Sequence, residues 1–294
     1  MAALTQAQVK SWIDDFLEGL TSPVDWNKLQ GLMSKRVTVE MPGEPKAKKF
    51  EDWKKKSESF YDCFKNAKRS MPKNAQPIFV RSKKDEIEVI CPENCSFVWT
   101  SALQEMYPQV TLSPGDKSRI SGYLRFKLSG KSECSWFAPL FSPTDFKQDS
   151  RADDDDTFLH KLYLQWNNGV DKIQDSLGDE IKAEFPTVGK VDKSGMMEIL
   201  ALFKDCKRSF MPGCHPVMMS TGKDDISEGI VPVIYTFKWS AALNDKFKLQ
   251  LADNAEVELK SYDCLTVKSN KVISFAPHFD PETNIKPVGK SGGA

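Results

Sequence analysis

The chain contains three histidines, His160, His215 and His278, and all three fall in its second half. Imidazole is the side chain best suited to proton transfer near neutral pH, so acid–base chemistry is sought there first. His215 lies between Pro212-Gly213-Cys214 and Pro216. His278 interrupts an apolar block, Ser274-Phe275-Ala276-Pro277-His278-Phe279-Asp280-Pro281. The same block occurs earlier as Trp136-Phe137-Ala138-Pro139-Leu140-Phe141-Ser142-Pro143, with Leu140 in the place of His278. A histidine introduced into a duplicated apolar block predicts that His215 and His278 face one pocket. The plainer reading of each, a solvent-exposed or singly bonded imidazole, is the default. His160 falls between the apolar positions of a helix and reads as a surface residue.

Other candidates come in matched pairs. Trp99 and Trp239 occupy the same place in Phe97-Val98-Trp99-Thr100-Ser101-Ala102-Leu103 and Phe237-Lys238-Trp239-Ser240-Ala241-Ala242-Leu243. They could stack on a flat ligand, or simply fill a core. Arg69 and Arg208 sit near the ends of Phe64-Lys65-Asn66-Ala67-Lys68-Arg69-Ser70 and Phe203-Lys204-Asp205-Cys206-Lys207-Arg208-Ser209. Read as the last turn of a helix, each could hold an anionic ligand group or offset the helix dipole. Cys91 and Cys95 are spaced like half a metal site, but no second ligand pair follows, so no metal is expected. The sequence has no glycine-rich phosphate loop, Gly-x-Ser-x-Gly elbow or His-Glu-x-x-His pattern, and no cofactor is expected.

These matches extend along the whole chain. Trp12, Ile13, Phe16, Leu17 and Leu20 correspond to Phe158, Leu159, Leu162, Tyr163 and Trp166, and Tyr123 corresponds approximately to Tyr262. The matched blocks are collinear, as a tandem duplication requires. Residues 1–149 and 157–287 are therefore two domains. They are joined by an acidic linker over 150–156 and followed by a flexible tail over 288–294.

Each half reads as three helices and then a run of strands. Val9, Trp12, Ile13, Phe16, Leu17 and Leu20 recur at helical spacing and predict a helix over 6–20. Asp25 is placed to cap a second helix over 26–33, and 37–41 alternates like a strand. A third helix is predicted over 50–70. Strands are predicted over 77–81, 87–90, 96–104, 119–128 and 133–137.

The balance of 41 basic and 41 acidic residues gives no net charge to draw nucleic acid. No apolar run reaches the length of a membrane span, and the first residues lack the pattern of a signal peptide. The seven cysteines do not coincide between the halves, which argues against an inherited disulfide framework. A soluble cytoplasmic protein is the expectation.

The aromatic stripe of helix 1, the Asp25-led second helix and Phe203 with Lys207-Arg208 form one recurring pattern. With the long strand at Phe237-Lys238-Trp239-Ser240 and the last strand at Lys271-Val272-Ile273-Ser274-Phe275, it resembles the NTF2-like superfamily. Its SnoaL-like and ketosteroid-isomerase-like members are the most similar in style. The resemblance implies an α+β fold of two tandem cone domains, each with N-terminal helices packed on a strongly curved, mostly antiparallel sheet. It implies one apolar pocket per half for a small-molecule ligand. It also implies a pseudo-dimer of the two repeats, since members commonly pair through their sheets. Members of this family often place an Asp, Tyr or His beside a substrate carbonyl. Tyr262 and Asp263 are thus candidates beside His215 and His278. Trp99, Trp239, Tyr123, Arg69 and Arg208 are the candidate ligand contacts. Enzymes, carriers and interaction modules share this fold. The expectation is a small, mainly apolar ligand in the second half, handled by cofactor-independent acid–base chemistry. The alternative is a non-catalytic carrier or interaction module.

Overall fold

The structure is a computed structural model that describes residues 4–41, 46–73, 75–81, 86–141, 146–148, 157–221 and 225–288. It divides into two compact units, Met1–Asp153 and Asp154–Ala294. The acidic linker and residues 289–294 of the tail lie outside the described residues.

Unit 1 begins with α1 (Gln6–Gly19), whose Thr5 and Gln8 form a reciprocal capping box. Its buried face is the stripe Val9, Trp12, Ile13, Phe16 and Leu17. α2 (Trp26–Leu32) is capped by Asp25, which accepts from the Lys28 backbone N–H at 2.9 Å. Then come β1 (Met33–Val39) and α3 (Phe50–Asp62). The remaining elements are β2 (Lys65–Ser70), β3 (Ile78–Arg81), β4 (Ile87–Val98), α4 (Ser101–Met106), β5 (Lys117–Leu128), β6 (Cys134–Leu140) and β7 (Lys147–Gln148). Among the described residues the strands run β1-β6-β5-β4-β2 across one curled sheet, with β3 on β4 and β7 on β5. β1 pairs β6 in parallel, and the other pairs are antiparallel. The helices cover one face, where Trp12, Phe16, Phe126 and Phe137 meet at ring-centroid distances of 4.9–5.3 Å.

Unit 2 repeats the plan. α5 (Phe158–Trp166) and a 3-10 turn over Val170–Ser176 precede β8 (Leu177–Phe185), β9 (Gly189–Val191) and α6 (Lys193–Ala201). β10 (Lys204–Phe210), β11 (Val217–Ser220), β12 (Ile226–Lys238), α7 (Ala242–Phe247), β13 (Glu256–Lys268), β14 (Lys271–His278), α8 (Pro281–Asn284) and β15 (Ile285–Pro287) follow. The order is β10-β12-β13-β14-β8-β9, with β11 on β12, β15 on β13, and β14 parallel to β8.

Three sequence expectations change. The third helix stops at Asp62, and 65–70 is a strand, as is 204–210 in unit 2. Both strands start with a register shift beside Asn66 (φ 57°) and Asp205 (φ 52°). Asn and Asp tolerate this left-handed conformation better than most residues. The bulge interrupts the alternation that would have announced a strand, and it leaves Arg69 and Arg208 turned inward. The dipole explanation for the two arginines therefore falls.

Residues 87–98 form one strand, where the sequence suggested two separate strands over 87–90 and 96–104. Pro92 is accommodated because β3 ends its pairing at Ile90 and β2 begins at Asn94, so no partner needs its missing N–H. Finally, 101–106 is a helix capped by Thr100, not the end of a strand.

Candidate functional site

The inward arginines organise a polar site in each unit. In unit 1, Arg69 lies on β2 and Glu93 on β4, and their side chains are only 8 % and 7 % exposed. Arg69 Nη1 donates to both Glu93 oxygens, at 3.0 and 2.9 Å. The guanidinium also lies 5.5 Å from the centre of the Tyr61 ring. Arg69 Nε is buried and has no acceptor among the described residues. Burial pushes the thiol of Cys95, on the same strand as Glu93, up to about 11.

Above this pair is a narrow recess with about 20 Å³ of enclosed room, opening to solvent through a wider mouth. Leu20, Phe60, Phe64, Leu124 and Phe141 supply its apolar walls. Arg69 and Glu93 supply its charged part. An apolar recess with a few convergent polar groups is the usual form of a small-molecule site.

In unit 2 the matching arginine, Arg208 on β10, is 8 % exposed. Its guanidinium stacks over Trp166 at 4.3 Å and lies 5.3 Å from the Tyr235 ring. Nη1 donates to the Trp166 carbonyl at 3.1 Å. The acid here is Asp263 on β13, fully buried. Tyr163 Oη donates to Asp263 Oδ2 at 2.5 Å, Tyr235 Oη donates to the same oxygen, and Ser261 Oγ donates to Oδ1 at 2.6 Å. Burial raises the Asp263 carboxyl, while the three hydroxyls and Arg208 pull it back; the balance lies above the ordinary value. Both tyrosines are pushed well up, first by burial and then by the neighbouring carboxylate.

The space next to Arg208 is smaller, with about 10 Å³ of enclosed room, and reaches the surface beside Leu164 and Phe210. Trp166 explains the difference. It occupies the repeat position of Leu20, and its indole covers the arginine where Leu20 leaves a recess. Of these two openings among the described residues, the larger is in unit 1, although the histidines directed the expectation to unit 2.

The proposed acid–base set is divided by the sheet. Asp263 faces the helices. Its neighbour Tyr262 points to the opposite face, as alternation on a strand requires. Tyr262 is paired in register with His278, so these two share that face. Tyr262 also hydrogen-bonds Cys214, whose thiol burial pushes up to about 11. His215 follows Cys214 and is half-buried. His160 is half-buried, with its ring 4.7 Å from that of Phe210.

Trp99 and Trp239 are buried and belong to the cores. Trp99 Nε1 donates to Gln104 and Trp239 Nε1 to Asn244, each at 2.9 Å, which ties down α4 and α7. Tyr123 is buried on β5, next to inward-facing Leu124 and therefore on the other face.

Sequence reading missed Glu93, Tyr61, Tyr163 and Tyr235. The signal for Glu93 was a lone acid inside an apolar stretch aligned with Val231-Pro232-Val233. Among the described residues, no group of three or more His, Cys, Asp or Glu side chains is placed to hold a metal. No helix there is long and apolar enough to cross a membrane.

In both units helices lead the chain, the first strand runs parallel to a late one, and long antiparallel strands curl beneath the helices. This is the helix-on-curved-sheet architecture that the resemblance to the NTF2-like superfamily led one to expect. No family model and no curated protein matches the sequence. Solved structures similar to one unit include Rv0760c from Mycobacterium tuberculosis in complex with estradiol-17β-hemisuccinate. It is 9% identical, with 49% of this chain and 99% of that chain covered and a TM-score of 0.35. Another is an NTF2-like protein of unknown function from Exiguobacterium, 13% identical, with 47% and 98% covered and a TM-score of 0.32.

Proposed function

We propose that this protein binds a small, mainly apolar molecule in the opening of its first unit. The observation that supports this is the recess over the buried Arg69–Glu93 pair, wider where Leu20 stands than the space beside Arg208 where Trp166 stands. Aromatic walls supply the affinity, and the charged pair supplies orientation.

The test is to give unit 1 the residue of unit 2. Leu20→Trp should weaken binding of 2-ethylnaphthalene, followed by ligand-observed NMR, about tenfold or more, with far-UV circular dichroism unchanged. Equal binding by wild type and variant would place the molecule elsewhere. No binding by either would remove the reading.

A second reading, cofactor-independent acid–base chemistry at Asp263 in unit 2, is favoured by the carboxyl held between two tyrosine hydroxyls. It requires a substrate to displace packing around Trp166 and Phe210. Turnover of a carbonyl substrate that disappears in Asp263→Asn would support it.

A further inference from the structure

We infer that the β8–β9 hairpin of unit 2 is a strap held shut by the contact of Thr187 with α7, and that releasing this contact opens the aromatic core of the unit. The hairpin turns through Pro186-Thr187-Val188, since Phe185 pairs with Gly189 across its base. Thr187 has φ 64°. A β-branched side chain strains that left-handed conformation, so a contact outside the turn must hold it there. Thr187 is exposed, yet its Oγ lies 2.6 Å from the carbonyl of Lys246, 59 positions away, and 2.6 Å from that of Pro186. A hydroxyl has one proton to donate, so the two carbonyls share it. Lys246 is in the last turn of α7, where carbonyls lack a partner within the helix. The Thr187 hydroxyl supplies that partner from the hairpin.

The two elements joined by this bond both carry apolar side chains into the core. Val188 packs against the core beneath the hairpin, and Phe185 meets Phe275 at 5.8 Å. On α7, Phe247 is buried against Trp239 and Phe279 at 6.2 and 5.5 Å. The hairpin itself is a weak element. β9 is three residues long, forms the edge of its sheet and, among the described residues, pairs with β8 alone. Short edge strands belong to the low-stability end of a fold and open locally. Gly189 (φ 91°) has no atom within 4 Å of the place of a Cβ, which leaves it free to act as the hinge.

Hydrogen–deuterium exchange of the full chain, read by mass spectrometry, makes the test. Thr187→Val keeps the shape of the side chain and removes the hydroxyl. Exchange should become roughly two- to tenfold faster in both 185–191 and 242–249, the range set by the loss of one hydrogen bond, with far-UV circular dichroism unchanged. Fluorescence of 8-anilinonaphthalene-1-sulfonate should rise with it, because the opened seam exposes aromatic side chains. Thr187→Ser keeps the hydroxyl and should return both readings to those of the wild type. Unchanged exchange in Thr187→Val, or faster exchange in 185–191 alone, would overturn the inference and leave a turn that frays without releasing α7. Thr187→Ser behaving like Thr187→Val would overturn it by making the methyl group the holding contact. Faster exchange in both segments without a rise in fluorescence would overturn it by leaving the core closed.

Discussion

Arg69 and Arg208 stand at the same repeat position, on matching bulged strands, both with guanidinium groups turned inward, yet their acids come from different strands. Unit 1 places Glu93 on β4, where unit 2 has Val233; unit 2 places Asp263 on β13, where unit 1 has Leu124. The buried guanidinium is common to the two halves, while the position of its compensating charge is not. A buried cation must be balanced, but the balance tolerates any strand within reach. The two solutions have different consequences. Glu93 meets its arginine at the edge of an open recess. Asp263 is enclosed by three hydroxyls and lies under a core closed by Trp166.

The largest effects should follow from breaking that balance. Asp263→Leu, which installs the residue of unit 1, leaves Arg208 without its acid and three hydroxyls without an acceptor. It should destabilise the protein by about 3–5 kcal/mol, read from urea unfolding. Adding Val233→Glu places the acid where unit 1 has it and should recover part of the loss. No recovery would mean that Tyr163 and Tyr235, rather than charge balance, set the position of the acid.

Next is the residue that separates an open unit from a closed one. Trp166→Leu should cost about 2–3 kcal/mol, less than full truncation of a buried tryptophan to alanine. It should also open a second site, seen as a rise in calorimetric stoichiometry for 2-ethylnaphthalene. Unchanged stoichiometry would mean that other side chains close over Arg208.

The pH response sharpens the contrast further. The Asp263 carboxyl is raised in the folded state, so the folded protein holds that proton to higher pH than the unfolded chain. Its contribution to stability is fully present below the unfolded carboxylate value of about 3.9 and is lost as pH rises through the folded value. Wild type should therefore lose stability relative to Asp263→Asn as pH rises from about 4. A difference between the two that stays flat with pH would remove the raised carboxyl from the account.

The smallest effect concerns Cys95, which stands where unit 2 has Tyr235 and whose thiol burial raises to about 11. At pH 8 it should react with a thiol reagent far more slowly in the folded protein than after urea unfolding. Comparable rates would mean that β4 opens readily around Glu93.

Much of this architecture was legible in the chain. The duplicated Phe-Ala-Pro block, the stripe of α1 and the Asp25 cap announced two similar α+β units, because burial periodicity and capping are local properties. The strands at 65–70 and 204–210 were misread for an equally local reason. A left-handed Asn66 or Asp205 shifts the register, and the polar Lys65-Asn66-Ala67-Lys68-Arg69 run then shows no clean alternation. The histidines attracted attention by residue type. Residue type alone does not say which face of a sheet a side chain occupies, and the structure puts Tyr262 and His278 on the side away from Asp263.

The sequence by itself determined the duplication, the helices that lead each half, and the Leu20-to-Trp166 exchange that distinguishes the two halves. Only the tertiary structure decided that Arg69 meets Glu93, that Arg208 lies under Trp166, and that Tyr163, Tyr235 and Ser261 converge on Asp263. These residues are separated by up to 100 positions in the chain. Their encounter depends on strand register, on a bulge and on the curl of the sheet. A local pattern cannot encode such a meeting, because each partner is read correctly only once the others are in place.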